Sequence, residues 1–296
     1  QNEIFETDMF QYAIIRTLKD SMTGQNLPVS VHLKEKPSWS LEAGAGYGAE
    51  DRFRLSLLLT RLHFLGGARK LIIDGKRSYF LPISLETKFI QPDLFNREID
   101  LILNPFFIRE RERSYEVDRL GSGLTVQHSF SEKASAYLTY SYENDHLQDF
   151  SEDRSRNNQT KEDLIHNKSG ITGGYSLNTT SSPFNPTDGW KVSAYMTYMG
   201  LAFQSKFHYL KTEFKLSHYQ EIAPDWVLAG KIRSGFINPL RKKEETPIED
   251  RFLLGGASSL RGWTRNDISP LNEQGNPIGG NSMTEGSLEL RFPIYK

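Results

Sequence analysis

Not one cysteine occurs in the 296 residues, which excludes a disulfide framework and any thiolate metal site. There is also no run of about 18 apolar residues, so no conventional transmembrane helix can be drawn. Transmembrane strands are not excluded, because they alternate apolar with polar side chains and average out on hydropathy scales. The mean hydropathy of −0.54 is therefore no sign of a water-soluble chain. A surplus of one charge sign is missing too. Against 37 Asp and Glu stand 36 Lys and Arg, a formal net charge of −1, which offers nucleic acid no broad basic field. The chain starts Gln1-Asn2-Glu3 with neither an initiator Met nor a basic-then-apolar leader. Processing, or the choice of boundaries, is expected to have removed the start.

Catalytic signatures are absent as well. The seven His are scattered, with no H-E-x-x-H; Ser258 lies in no G-x-S-x-G elbow, and Gly75-Lys76 lacks the P-loop glycine five positions earlier. No cofactor, no metal and no enzyme activity are expected. Asn158-Gln159-Thr160 fits a glycosylation triplet, which carries no weight without a eukaryotic secretory context. The acidic pairs Glu244-Glu245 and Glu249-Asp250 read as solvated loop charges.

What the chain does have is period-two alternation. Leu124, Val126 and Phe130 oppose Thr125, Gln127 and Ser129; Ala136, Leu138, Tyr140 and Tyr142 oppose Ser135, Thr139, Ser141 and Glu143. The same pattern runs through Val192 to Tyr198 and Leu210 to Leu216 and predicts strands with one apolar and one polar face. Twelve strands are expected: 40–48, 52–65, 68–80, 83–90, 97–109, 115–130, 133–143, 171–179, 190–203, 206–221, 226–237 and 282–294. The consecutive Leu57, Leu58 and Leu59 do not fit the alternation. Periodicity alone leaves a soluble sandwich and a membrane barrel both open. Loop lengths separate them, since FLGGAR and NPTDGW are short turns while 144–170 and 238–281 read as long polar loops. Short turns at one end and long loops at the other are the habit of outer-membrane barrels. Thirteen Tyr, 18 Phe and four Trp suit interfacial aromatic girdles.

Residues 1–36 read as a separate piece. Two strand-like runs, 12–19 and 27–34, flank the turn-forming DSMTGQN and predict a hairpin, which two strands alone would hold only marginally.

The most specific stretch is RFLLGGASSLRGWTRNDISP at 251–270. Gly255 and Gly256 permit positive φ and close backbone approach, so the segment can fold back and project Arg261. The string Gly255-Gly256-x-x-Ser259-Leu260-Arg261-Gly262-Trp263 resembles the GG-x-x-S-(V/L)-R-G-(F/Y/W) signature of the outer-membrane β-barrel assembly and translocation superfamily, the group of BamA, TamA and the two-partner secretion transporters. LPVSVHLKEKP is similar to the last strands of a POTRA module, and the Gly-rich first strand, the NPTDG turn and SLELRFP extend the likeness over most of the chain.

The resemblance implies an all-β fold, an antiparallel transmembrane β-barrel with about 12 of 16 strands present (37–296), preceded by the end of a POTRA α/β module (1–36). It also implies a loop that enters the lumen and an arginine that pairs with wall carboxylates. Two departures stand out. The chain stops at Lys296, about four strands early, and it lacks the F-x-D-x-G motif that supplies a second acidic partner. A piece of a longer protein, or edges paired with another chain, is expected, because unpaired edges in lipid are costly.

In the last strand Leu288, Leu290, Phe292 and Ile294 share one face, leaving Ser287, Glu289 and Arg291 on the other. If the apolar face meets lipid, Glu289 is the wall partner expected for Arg261. Losing one member would cost about 3–5 kcal/mol in a buried setting. The alternatives are that Glu289 pairs with the neighbours of Arg291 or merely faces lumen water. Gly44, Gly46 and Gly48 recur at every second position of the first strand. They either relieve crowding at sharp curvature or, as the resemblance implies, weaken a seam that opens so that a client adds its own strand.

The implied function is assembly and insertion, or translocation, in the bacterial outer membrane. Its partners would be nascent outer-membrane β-barrel proteins as clients, the lipid bilayer, and periplasmic or lipoprotein accessory subunits. A two-partner secretion exporter, or the barrel anchor of an outer-membrane patatin-like lipid hydrolase, would carry the same motif.

Overall fold

The computed structural model describes residues 9–17, 29–94, 98–150, 164–202, 205–241, 245–257 and 259–294. Strands β1 (Phe10–Thr17) and β2 (Val29–Glu35) form an antiparallel pair in a sheet of their own, Ile14 opposite His32. The turn expected at 20–26 lies outside the described residues.

Twelve further strands form one antiparallel sheet: β3 (Trp39–Gly48), β4 (Arg52–Leu62), β5 (Lys70–Arg77), β6 (Ile83–Gln91), β7 (Ile99–Arg111), β8 (Tyr115–Ser131), β9 (Ala134–Phe150), β10 (Ile165–Asn178), β11 (Gly189–Met199), β12 (Tyr209–Ala223), β13 (Trp226–Pro239) and β14 (Ser282–Arg291). Among the described residues each pairs only with its neighbours in sequence, which leaves β3 and β14 at the two margins of the sheet. This is the all-β antiparallel sheet that the alternation predicts. Laid flat, twelve strands would be about 50 Å wide. The loop between β13 and β14 nevertheless touches the β3–β4 turn, β8, β10, β12 and β14, so the sheet curls around it as a barrel wall.

The two faces differ as strand geometry requires. Leu120, Leu124, Val126, Leu138, Met196, Phe214, Ile232, Leu288 and Leu290 are exposed on the outside, the lipid face. Inside, Thr139 bonds Thr125 at 2.7 Å and Thr172 bonds Thr197 at 2.8 Å across neighbouring strands. Outward rings mark the short-turn end, with Trp190 stacked on His218 at 3.8 Å and Trp226 on Phe292 at 4.7 Å. Leu58 now has a place: it pairs with Glu42 and Asp74 on the lumen face, while Leu57 keeps the alternation outside.

One loop assignment is corrected. Much of 144–170 is strand, because β9 runs on to Phe150 and β10 starts at Ile165. The polar residues that read as loop there, Asp145, His166 and Lys168, are buried on the lumen side.

Candidate functional site

The loop between β13 and β14 enters the lumen in two stages, a root and a tip. At the root Pro247, with φ at −56°, leads into a single 3-10 turn, Ile248–Asp250. That turn splits its side chains between two surroundings. Ile248 packs with Tyr115 and Val117 of β8 and Leu147 of β9. Glu249 and Asp250 turn the other way, onto an ionic cluster whose hub is Lys168.

The Lys168 side chain is 0% exposed and stands 2.6 Å from Asp145, 3.1 Å from Glu143, 3.2 Å from Glu249 and 2.9 Å from Asp250. His166 Nε2 donates to Glu249 Oε1 at 2.8 Å, and the Tyr209 hydroxyl donates to Asp250 Oδ2 at 2.7 Å. Even the main chain of the turn is held: Arg119 donates to the Glu249 carbonyl at 3.0 Å and Lys211 to that of Asp250 at 2.8 Å. Burial opposes the charge on Glu249, but Lys168 and the bond from His166 outweigh it and hold the carboxyl down at about 2. Asp250 is also held well below the usual carboxylate range, burial being outweighed by Lys168, Arg119 and Lys211.

The reading of Glu249-Asp250 as solvated loop charges is thus overturned. Nothing in a loop sequence says that its acids will meet a lysine three strands away.

Immediately after the turn, Phe252 pairs with Gly280 on the returning limb through two 2.9 Å backbone bonds. Its ring joins Met199, Tyr209, Ile237 and Met283. Gly235 lies beneath it, and a Cβ there would come within 2.4 Å of the ring. Asp145, His166 and Glu249 bring ligand atoms within 4.8 Å of one another, a grouping that could suit a metal. The Lys168 ammonium already sits among them and supplies the positive charge, and a second cation about 3 Å away would be strongly repelled.

The tip carries the motif. Gly255, Gly256 and Gly262 have φ of +114°, +97° and +91°, conformations in which glycine alone is unstrained. A Cβ on Gly255 would also strike the Thr264 carbonyl at 2.6 Å. Ser259 Oγ donates to Glu285 of β14, and Arg261 Nη2 donates to Glu289 four residues further along the same face. Leu260 offers its carbonyl to Trp263 N at 3.4 Å, and the Trp263 ring is exposed. Ser258 is outside the described residues. Beyond the motif, Arg265 and Asn266 bond Glu112 at 3.1 and 2.8 Å, and Arg113 bonds Asp267. Glu50, in the β3–β4 turn, accepts from Ala257 N at 3.0 Å.

Arg261 and Glu289 therefore meet, but not in the buried setting assumed for them: their side chains are 73% and 34% exposed, and Arg291 also reaches Glu289, at 3.4 Å. The carboxylates Glu285 and Glu112 were not anticipated. Glu285 shares the lumen parity of Glu289, the one sequence signal that pointed to it. On β3, Gly44, Gly46 and Gly48 lie opposite Ser56, Arg54 and Arg52. Added Cβ atoms would meet Ser56 Oγ at 2.6 Å, Arg54 Nε at 3.0 Å and Asp51 Oδ1 at 2.4 Å. These glycines let polar side chains of the adjoining hairpin lie over β3.

An apolar outer face, a polar interior and a long loop folded into that interior define an outer-membrane β-barrel with an occupied lumen. Residues 63–296 match the Omp85 superfamily domain. The chain belongs to the Omp85 superfamily, as a barrel of the BamA/TamA type in the bacterial outer membrane. It is 24% identical over 267 residues to the outer membrane protein assembly factor BamA of Nitratidesulfovibrio vulgaris, covering 88% of this chain and 33% of that protein. With BamA of Neorickettsia risticii it shares 23% over 278 residues, 92% of this chain and 36% of that one. It thus spans about a third of the length of these relatives. Among solved structures, BamA from Haemophilus ducreyi lacking POTRA domains 1–3 superposes with a TM-score of 0.82 at 20% identity, over 99% of this chain and 60% of that one. CdiB from Escherichia coli gives 0.60 at 12% identity, over 100% of this chain and 56% of its own.

Proposed function

We propose that this chain forms the barrel through which an outer-membrane protein assembly factor inserts unfolded β-barrel clients into the bilayer. The observation that carries the reading is strand β3, whose lumen face bears Gly44, Gly46 and Gly48 and so offers few side-chain contacts to a neighbouring strand. A strand edge with few side-chain contacts to lose can admit a client strand by main-chain hydrogen bonding. The lumen loop, through Gly255, Gly256, Ser259, Leu260, Arg261, Gly262 and Trp263, sets the shape of the interior beside that edge. Glu289 holds its arginine, and Glu50 ties the loop to the hairpin that begins with β3. Residues 1–36 are assigned to the end of a POTRA module, through which periplasmic or lipoprotein subunits would engage.

The test is reconstitution of the full-length protein in liposomes with a urea-unfolded outer-membrane protein as client. Protease-protected, heat-modifiable client should accumulate faster than in empty liposomes. Replacing Gly44 and Gly46 with Val should slow it while the barrel itself still folds, since each added Cβ meets side-chain atoms of Ser56 or Arg54 and no backbone. Equal rates in empty and loaded liposomes would refute the reading. A second reading, a two-partner secretion exporter that passes its client through the lumen, has the likeness to CdiB in its favour. It predicts client protein released inside the vesicles rather than inserted in their walls.

A further inference from the structure

We propose that Lys168 is the fixed pivot of the lumen loop: it clamps Glu249 and Asp250 at the root while the Arg261 tip is the part that lets go. Lys168, Glu249 and Asp250 are then positioning residues for client insertion. That functional consequence rests on the assembly reading, whereas the mechanics of the loop do not.

The two ends of the loop are held very differently. Withdrawing the root breaks six hydrogen bonds together: His166 and Lys168 to Glu249, Lys168 and Tyr209 to Asp250, and Arg119 and Lys211 to the two carbonyls. It also pulls Ile248 and Phe252 out of their apolar clusters. Buried charges that lose their partners are costly to leave behind. Because Phe252 and Gly280 pair across the two limbs, the outgoing and returning chains are held as one body.

The tip proper, residues 259–261, is tied more lightly: Ser259 bonds Glu285 and Arg261 bonds Glu289. Arg265 and Asn266 beyond it are held to buried Glu112 and stay with the anchored part of the loop. Releasing Arg261 leaves Glu289 with Arg291, and both partners already meet solvent. Gly256 and Gly262, both at positive φ, lie on either side of the tip, and there the chain can bend without steric penalty. A lumen that must change shape as a client enters can therefore swing the tip about this glycine pair without losing the loop.

This stretch brings no cysteine of its own to a distance measurement. In the full-length protein in liposomes, with any cysteine outside this chain changed to Ser, spin labels are placed on cysteines introduced at Glu132 in the β8–β9 turn and either at Glu245, beside the root, or at Leu260, in the tip. Pulsed dipolar spectroscopy then gives each distance distribution, with barrel folding checked by electrophoretic heat-modifiability. The variants are Lys168→Met and, because that strands four carboxylates, the loop-side double substitution Glu249→Gln with Asp250→Asn, which leaves the wall untouched.

The double variant should broaden the root distribution, shifting the docked-to-undocked ratio by about a hundredfold, and should lower client insertion at least about tenfold. Arg261→Ala should broaden only the tip distribution. A root that stays narrow in both variants, or that is freed by Arg261→Ala alone, would overturn the pivot. A freed root with undiminished insertion would overturn the positioning role. Wild-type protein that inserts no client would instead refute the assembly reading, and the distances would still decide the pivot.

Discussion

Replacing Arg261 with Ala separates the importance of the motif from its contribution to stability. The Arg261 side chain is 73% exposed and its partner Glu289 34%, so the pair is screened by water and is worth roughly 0–1 kcal/mol. Glu289 is not stranded by the loss, because Arg291 Nη2 lies 3.4 Å from its other oxygen. For a barrel of this size that corresponds to a fall of less than about 4 °C in the midpoint of unfolding. Lys168→Met is the contrast. It removes the cation shared by Glu143, Asp145, Glu249 and Asp250, and breaking a buried pair of this kind costs about 3–5 kcal/mol, or roughly 6–20 °C. The readout is the temperature at which the folded, fast-migrating form is lost on electrophoresis of the full-length protein in detergent. Client insertion by Arg261→Ala is expected to fall even so, through misplacement of the tip. An Arg261→Ala midpoint as low as that of Lys168→Met would refute the division between a light tip and a heavy root.

Three further outcomes are expected. Phe252→Ala empties the cluster of Met199, Tyr209, Ile237 and Met283 and should cost about 3–5 kcal/mol, seen as a lower electrophoretic midpoint and a broadened root distance. Leu138→Arg, on the lipid face of β9, should cost about 2–4 kcal/mol near the bilayer midplane, while Thr139→Arg one residue on, facing the lumen, should be tolerated; equal yields of folded barrel from the two would contradict the assignment of faces. Glu249 and Asp250 have carboxyls held below their usual range, so their folded pKa lies under the unfolded value of about 4. The stability they add is complete above that unfolded value and is lost as the pH falls through the folded one, toward 2. The root distance should stay narrow from pH 7 to about 5 and broaden only below about 4, and broadening on raising the pH would show the sign to be wrong.

The barrel was legible in the sequence because its two faces see different solvents. Leu124, Val126 and Leu138 had to alternate with Thr125, Gln127 and Thr139, and the sheet keeps them so. The same alternation put Glu289 on the side where Arg261 arrives. The root of the loop was not legible, for the reason that makes it tight. A buried Lys168 and a buried Asp145 look in sequence like any solvated charges, and they lengthen two strands through a stretch whose polarity reads as loop. Their burial is a property of four strands and a folded-in turn taken together. No local window contains His166, Glu249 and Tyr209 at once.

The spacing of the tip contacts can be checked against chain geometry. Glu285 and Glu289 are four residues apart on one strand, about 13 Å along its axis. Ser259 and Arg261, which bind them, are only two residues apart and span at most about 7 Å of backbone. The remaining 6 Å or so is the difference in reach between a short serine and a long arginine, so the partner of Arg261 must sit far down β14 and on its lumen face. Moving the carboxylate one step up that face, as Ser287→Glu with Glu289→Ser, should keep it within reach, with Lys231 opposite to steady it. Part of the client insertion lost in Glu289→Ser should then return. Moving it to the adjacent position, as Leu288→Glu with Glu289→Ser, turns it toward lipid and should restore nothing. Equal rescue from 287 and 288 would mean that Glu289 acts by charge alone, without regard to the face it occupies, and the docked geometry of the tip would lose its explanation.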